Sequence, residues 1–266
     1  MLSLKQLQRF TETTAIKAGK LLLKEQSRAR IIQFKDIQDI ATTADLKSEK
    51  LIITDIKTIF PDHNILSEEA GIIDHKSEYT WVIDPLDGTK EYARGLPTYA
   101  VLIACQKGAQ IITGCVYVPS SSDLYSAAQG SGAFHNNHSV RISQQSQLNQ
   151  AIVFSHLPNH RLTDSQFALG WKTVSRIADS SYRLRGTNMD AVSLCWLAQG
   201  GIDAYIVPFA KGPNWWDLAP GLLIAQEAGA KITDLKGKPV NPHNLNQGII
   251  ASNIHLHPQL LRVLNS

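Results

Sequence analysis

The chain has 266 residues, 43% of them hydrophobic and 18% charged, with a formal net charge of +3. This balance suits one large domain or two closely fused lobes and excludes a disordered chain. Lys and Arg are scattered singly, so no nucleic-acid footprint is expected. Cys105, Cys115 and Cys195 lack CxxC spacing, which argues against a disulfide framework or a zinc site. Lys5, Gln6, Gln8 and Arg9 interrupt the start, where a signal peptide would need an apolar core. No apolar run approaches the ~20 residues that span a bilayer, so a soluble, cytoplasmic protein without membrane contact is expected.

Leu4, Leu7, Phe10, Thr14, Ala18 and Leu21 or Leu22 recur at helical spacing and predict an amphipathic helix over 3–26. A second helix is predicted from about Asp45 to Ile59, with Leu51, Ile52, Ile56 and Ile59 on its apolar side. Short strands follow at Ile65–Leu66 and Trp81–Ile83. Tyr99–Cys105, Ile111–Val118 and Leu124–Ala128 read as a meander, and Gly130 and Gly132 turn the chain into Ala133–Phe134. After a soft boundary near residue 145, strands are expected at Ala151–Ser155, Asp203–Val207, Lys231–Thr233 and Ile249–Ala251. Helices are expected at 188–199, Asp217–Ala228 and 257–264. The pattern predicts an α+β lobe followed by an α/β lobe within one domain, 1–266.

The chemistry concentrates at Trp81–Thr89. There an apolar run ends in two carboxylates, Asp84 and Asp87, with Pro85, Gly88 and the Thr89 hydroxyl around them. Two such acids at the end of a buried strand repel unless a cation sits between them, and a divalent ion is the obvious candidate. Gly88 permits a close backbone approach. Thr89 is expected to cap a short helix starting near Lys90, whose free amides would suit a phosphate. A lone DxxDGT reads equally well as an Asx-turn with a helix cap, needing no ligand. Glu68 and Glu69 are adjacent, so on an extended segment they face opposite ways; alone, such a pair is an ordinary surface feature. Asp217 follows Trp215-Trp216 at the start of an apolar helix, where the ordinary role of an acid is the N-cap.

Together these segments resemble the inositol monophosphatase family of metal-dependent phosphatases. The resemblance rests on Ser67-Glu68-Glu69-Ala70-Gly71, then Trp81–Thr89, then Trp216-Asp217-Leu218-Ala219 with Glu227-Ala228-Gly229-Ala230. It covers the chain from about residue 35 to 235. Asp45, in Thr42-Thr43-Ala44-Asp45, matches a fourth position; Lys35 matches a fifth, one residue short of the common spacing to Asp45. The resemblance implies a layered αβαβα sugar-phosphatase fold, with an antiparallel sheet in the N-terminal lobe, and a homodimer sensitive to lithium. It implies two or three Mg2+ ions. Glu68, Asp84, the Leu86 carbonyl and Thr89 would hold one, and Asp84, Asp87 and Asp217 a second. A third, weaker ion would sit near Glu68. Thr89, hydrogen-bonded to Asp45, would help deprotonate the attacking water, and the Gly88 and Thr89 amides would cradle the phosphate. This chemistry is consistent with a metal pair that activates water for an in-line displacement. There is no GxSxG or P-loop to suggest a covalent route.

The substrate is less legible. Family members acting on inositol phosphate carry a Glu shortly after the "DAY" segment, where this chain has Val207 after Asp203-Ala204-Tyr205-Ile206. The longer Pro208–Pro213 loop and Asp87-Gly88-Thr89-Lys90-Glu91-Tyr92 resemble bisphosphate nucleotidases. Arg94-Gly95-Leu96-Pro97 and Gly200–Tyr205 resemble monophosphatases, and the former also histidinol-phosphate phosphatases. Asp190 stands where the family has a small pocket residue, and is expected to bind a substrate hydroxyl or amine unless it only favours a helix dipole. Arg185 and Lys211 are candidates for a second anionic group. The expected activity is hydrolysis of a small polyol phosphate such as inositol monophosphate. The alternatives are a 3′(2′),5′-bisphosphate nucleotidase, a histidinol-phosphate phosphatase, a fructose-1,6-bisphosphatase, or a partner-binding protein that retains the fold.

Overall fold

The computed structural model describes residues 3–36, 39–159, 161–187, 189–209, 212–241 and 244–265. The first helix, α1, runs Leu4–Glu25. Ser3 starts it with a capping box: its hydroxyl accepts the Gln6 amide at 3.3 Å, and the Gln6 side chain accepts the Ser3 amide at 2.8 Å. Strands β1 (Ile31–Asp36) and β2 (Asp39–Thr42) form a hairpin that enters α2 (Thr43–Ile59). The predicted apolar side of α2 needs correction. Ile52 and Ile56 are fully buried, but Ile59 is 52% exposed.

Next come β3 (Asn64–Ser67), β4 (Gly71–Ile73), β5 (Tyr79–Asp87) and the short helix α3 (Thr89–Ala93). The meander consists of β6 (Ala100–Lys107), β7 (Gln110–Val118) and β8 (Asp123–Ala128), extended by β9 (Ala133–His135) and β10 (His138–Val140). These strands form one sheet in the order β10-β9-β8-β7-β6-β5-β3-β4. The expected antiparallel sheet holds with one exception: β3 and β5 run parallel, with Ser67 opposite Ile83. That exception brings the C-terminal ends of two strands side by side.

The remainder comprises β11 (Ile152–His156), α4 (Asp164–Ser180), β12 (Arg183–Thr187), α5 (Asp190–Ala198), β13 (Ala204–Val207), α6 (Trp215–Glu227), β14 (Lys231–Thr233), β15 (Ile249–Ser252) and α7 (His257–Asn265). The second sheet is ordered β12-β11-β13-β15-β14, parallel across its first three strands. Helices α1 and α2 cover one face of the large sheet. Helices α5 and α6 lie between the sheets, and α4 and α7 pack beyond the second. This is the αβαβα layering. No helix of the described residues is long and apolar enough to cross a membrane.

Two elements escape the apolar periodicity. Helix α4 has a Thr163–Gln166 capping box, yet Leu169 and Trp171 are exposed and its buried face includes Gly170 and Thr173. Strand β12 is a sheet edge carrying exposed Arg183 and Arg185, as edge strands commonly do.

The middle layer is held by close backbone approaches. A Cβ on Gly114 of β7 would meet the Pro220 Cα at 2.9 Å, and one on Gly221 of α6 would meet the Ala191 Cα at 2.9 Å and its carbonyl at 3.0 Å. These neighbours are backbone and cannot swing aside. Gly221→Ala should therefore cost about 1–3 kcal/mol, the usual range for overpacking. A thermal midpoint unchanged from the parent in a melting experiment would contradict this packing.

Candidate active site

The site forms where β3 and β5 end. The Glu68 amide donates to the Ile83 carbonyl at 3.2 Å, so Glu68 begins a turn directly beside Asp84. It does not lie on an extended segment as expected. Strand β5 continues beyond Ile83 through a register irregularity: Asp84 lies opposite Leu102 and Asp87 opposite Ala100. One extra residue is thus bulged out, and bulges re-aim side chains at the ends of sheets. The Asp84 Oδ1 accepts the Leu86 amide at 3.0 Å, so the Asx-type turn is present in the same loop.

Gly88 has φ +86°, and a Cβ there would stand 2.6 Å from the Thr98 carbonyl. Only glycine fits both constraints. Gly88 is also the residue preceding α3, so Thr89 is the first helical residue and not its cap, contrary to expectation. The Thr89 hydroxyl lies 2.9 Å from both Asp45 Oδ1 and the Leu86 carbonyl. Asp45 is fully buried and held from its other side, where Oδ2 accepts the Thr42 amide at 2.8 Å and the Thr42 hydroxyl at 2.5 Å. Burial pushes the Asp45 carboxyl above its usual range, and the hydrogen bonds from Thr42 and Thr89 oppose that shift.

Asp217 reaches the site from α6. It is not the N-cap; Asn214 is. Asp217 stands three residues further, where its Oδ2 accepts the Asn214 amide at 2.6 Å. Glu68, Asp84, Asp87 and Asp217 line one cavity of about 180 Å³, together with Leu86, Gly88 and Thr89. Burial pushes Asp84 and Asp87 well above the usual carboxylate range. Glu68 adds to this at Asp84, and Asp217 at Asp87. Asp217 is pushed up to about 8, by burial first and then by Asp190 and Glu68. Asp87 and Asp217 are half-buried, open to the cavity.

The residues fit a divalent cation. The Asp87 Oδ2 is buried with no hydrogen-bond partner. The donor set is oxygen throughout: carboxylates, a carbonyl and a hydroxyl, the set hard cations take. Among the described residues, no three His, Cys, Asp or Glu side chains converge tightly enough to grip an ion as they stand. Mg2+ retains waters that can bridge such a spread.

Asp190 also lines the cavity, but its oxygens are already engaged. Its Oδ1 accepts the Tyr205 hydroxyl at 2.6 Å, and the His156 Nδ1 lies 3.0 Å from Oδ1 and 3.1 Å from Oδ2. Burial works against protonation of His156, but Asp190 outweighs it, and the imidazole pKa lies above its usual value. His156, Asn159 and Arg161 line the same cavity. None of the three stands out in the sequence. His156 ends a strand, where a lone histidine carries no signal until Asp190 and Tyr205 are seen against it. Arg185 is placed elsewhere: it is exposed and faces a separate cavity with Phe154 and Trp196. Lys211 and the side chain of Lys35 lie outside the described residues.

The acids also set a stability signature. Their raised pKa values mean that the folded, metal-free protein keeps protons that the unfolded chain gives up near pH 4. Metal-free stability should therefore fall as pH rises from about 4 to about 8. In EDTA the thermal midpoint should drop between pH 5 and pH 8, and Asp217→Asn should flatten the slope. A midpoint that rises over this interval would contradict the clustering.

A profile of the inositol monophosphatase family matches residues 3–266. Over 226 residues the chain is 36% identical to a protein named Nus factor SuhB from Vibrio cholerae, covering 84% of this chain and 83% of that one. It is 31% identical over 250 residues to a fructose-1,6-bisphosphatase/inositol-1-monophosphatase from Thermotoga maritima, covering 94% and 92%. The crystal structure of the extragenic suppressor protein suhB from Bartonella henselae superposes with a TM-score of 0.89 at 28% identity, over 98% of this chain and 99% of that one. With that match extending over its described length, the chain belongs to the inositol monophosphatase family.

Proposed function

We propose that the chain is a Mg2+-dependent phosphomonoesterase that hydrolyses a small polyol phosphate by attack of water. The observation that carries this reading is the junction of a carboxylate-lined cavity with a hydroxyl–carboxylate pair. Glu68, Asp84, Asp87, Asp217 and the Leu86 carbonyl would hold the cations, which when bound would neutralise phosphate oxygens and acidify water. Were its hydrogen directed at Asp45, with the Leu86 carbonyl turned to a cation, the Thr89 hydroxyl would keep lone pairs to accept a proton from a water beside it. Asp45, held by Thr42, keeps that orientation. Gly88 and Thr89 line the same cavity, and their amides would bind the phosphate oxygens. Asp87→Asn should lower kcat at saturating Mg2+ by about 100-fold or more, the scale of losing one preorganised charge. Phosphate release that persists undiminished in EDTA would refute the reading.

Beyond the scissile phosphate, Asp190 acts on the substrate through His156. Asp190 fixes the Nδ1 edge of the ring, which leaves Nε2 for a substrate oxygen. This replaces the direct contact expected from Asp190 alone. His156→Ala and Asp190→Ala should each raise KM several-fold with kcat changed less, the sign of lost binding common to ground and transition states. An unchanged KM for the best substrate would remove both residues from recognition. That substrate is to be sought among inositol 1-phosphate, fructose 1,6-bisphosphate, histidinol phosphate and adenosine 3′,5′-bisphosphate.

The relatives named Nus factor SuhB support a second reading, a partner-binding role on the same fold. The assembled acids favour catalysis, because buried carboxylates without a ligand destabilise the fold. Absence of turnover across the panel with Mg2+ present would favour the partner-binding role.

A further inference from the structure

The buried stripe of α2 is polar beside the cavity and apolar beyond it. Ser48 and Glu49 follow Asp45 by about one turn, and Ile52 and Ile56 continue the same stripe. Asp45 and Ser48 are fully buried, and Glu49 is 7% exposed. A core-facing helix normally carries aliphatic side chains at such positions, and buried polar groups persist only when hydrogen-bonded. Here each is satisfied by a different loop of the site. Asp45 accepts from Thr89 at 2.9 Å. The Ser48 hydroxyl donates to the Pro85 carbonyl at 2.8 Å, inside the Asp84–Asp87 bulge. The Glu49 Oε1 accepts the Ser67 hydroxyl and, at 2.9 Å, the Ala70 amide. Ser67 and Ala70 bracket Glu68-Glu69, so the Glu49 carboxylate closes the turn that carries Glu68.

We propose that Ser48 and Glu49 are positioning residues for the metal centre. Glu49 fixes the turn of Glu68, and Ser48 fixes the bulge that bears Asp84 and Asp87. Because both lie on one helix, α2 sets the separation of two acid-bearing loops as a single rigid piece. The physical need is direct. Facing carboxylates repel and would spread their loops apart, while Mg2+ demands a narrow range of ligand geometry. Hydrogen bonds behind the ligands resist that spreading, and partners of this kind typically tune metal affinity 10–100-fold. The proposal rests on the reading of the cavity as a Mg2+ site.

The test is a Mg2+ titration of the EDTA-stripped full chain, followed by calorimetry and by the shift in thermal midpoint. Glu49→Ala should raise the half-saturating Mg2+ concentration about 10-fold or more. Glu49→Gln keeps the Oε1 acceptor and should stay close to the parent, which separates hydrogen bonding from long-range charge. Ser48→Ala should shift the titration in the same direction, and it stands in if Glu49→Ala does not fold. Ile177→Val, destabilised in the core beneath α4 and away from the cavity, should leave half-saturation unchanged. The proposal is overturned if Glu49→Ala and Ser48→Ala both bind Mg2+ like the parent. It is overturned equally if Glu49→Gln is as weak as Glu49→Ala, or if Ile177→Val shows the same loss. If the parent itself shows no saturable Mg2+ response, the metal reading of the cavity fails first and this inference with it.

Discussion

Asp84, Asp87 and Asp217 are enclosed together with Glu68 against one cavity, and their negative charges cannot all persist there uncompensated. Either protons or cations must neutralise them. That constraint orders the rest of the site. The parallel pairing of β3 with β5 sets Glu68 beside Asp84. The bulge at the end of β5 turns Asp87 towards the same point. The capping box of α6 ties down the Asp217 Oδ2 and sets the carboxylate at a helix N-terminus, where the backbone dipole favours negative charge. Each device holds an acid where electrostatics alone would expel it.

The acids come from different layers, so the centre depends on how the layers pack. Glu68, Asp84 and Asp87 belong to the large sheet and its loops. Asp217 belongs to α6 in the middle layer, and His156 to the second sheet. Close contact at Gly114–Pro220 and Gly221–Ala191 sets the depth at which α6 sits, and therefore where Asp217 arrives. The aromatic packing of Trp81 against Phe10 and Phe60, with its Nε1 donating to His63 at 3.2 Å, anchors β5 from the opposite face. A buried aromatic of this size resists displacement, so the strand that bears the acids has little freedom to yield to their repulsion.

The same geometry divides labour in the pocket. The α2 side orients the Thr89 hydroxyl through Asp45, while the far wall offers His156 backed by Asp190 and Tyr205. Both arrangements use a buried carboxylate to orient a neighbour. In the proposed reaction, one would face the scissile phosphate and the other the remainder of the substrate. That separation explains why the reaction class is easier to read than the substrate. In the first, Thr89 belongs to a local motif that Asp45 joins across 44 residues of chain, whereas the second draws all of its residues from separate elements, β11, α5 and β13.

Much was legible in the residues themselves. The helical periodicity of α1 and of the Ile52–Ile56 stretch, the meander β6–β8 and the cluster at Asp84–Thr89 all follow from local spacing and turn chemistry, because short-range sterics and patterning govern them. The motif acids could be singled out for the same reason: carboxylates at the end of an apolar run are anomalous wherever they occur. Helix α4 and strand β12 were not legible, since one mixes Gly170 and Thr173 with Val174 and Ile177 on its buried face while exposing Leu169 and Trp171, and the other is a charged edge. The positions of Thr89 inside α3 and Asp217 inside α6 were offset because helix starts depend on backbone geometry one to three residues away. Only the tertiary structure decided that Glu68 sits in a turn, that Asp190 is spent on His156 and Tyr205, and that Ser48 and Glu49 face the site. These are contacts across 15 to 37 residues of chain, made between elements whose relative placement no local pattern encodes.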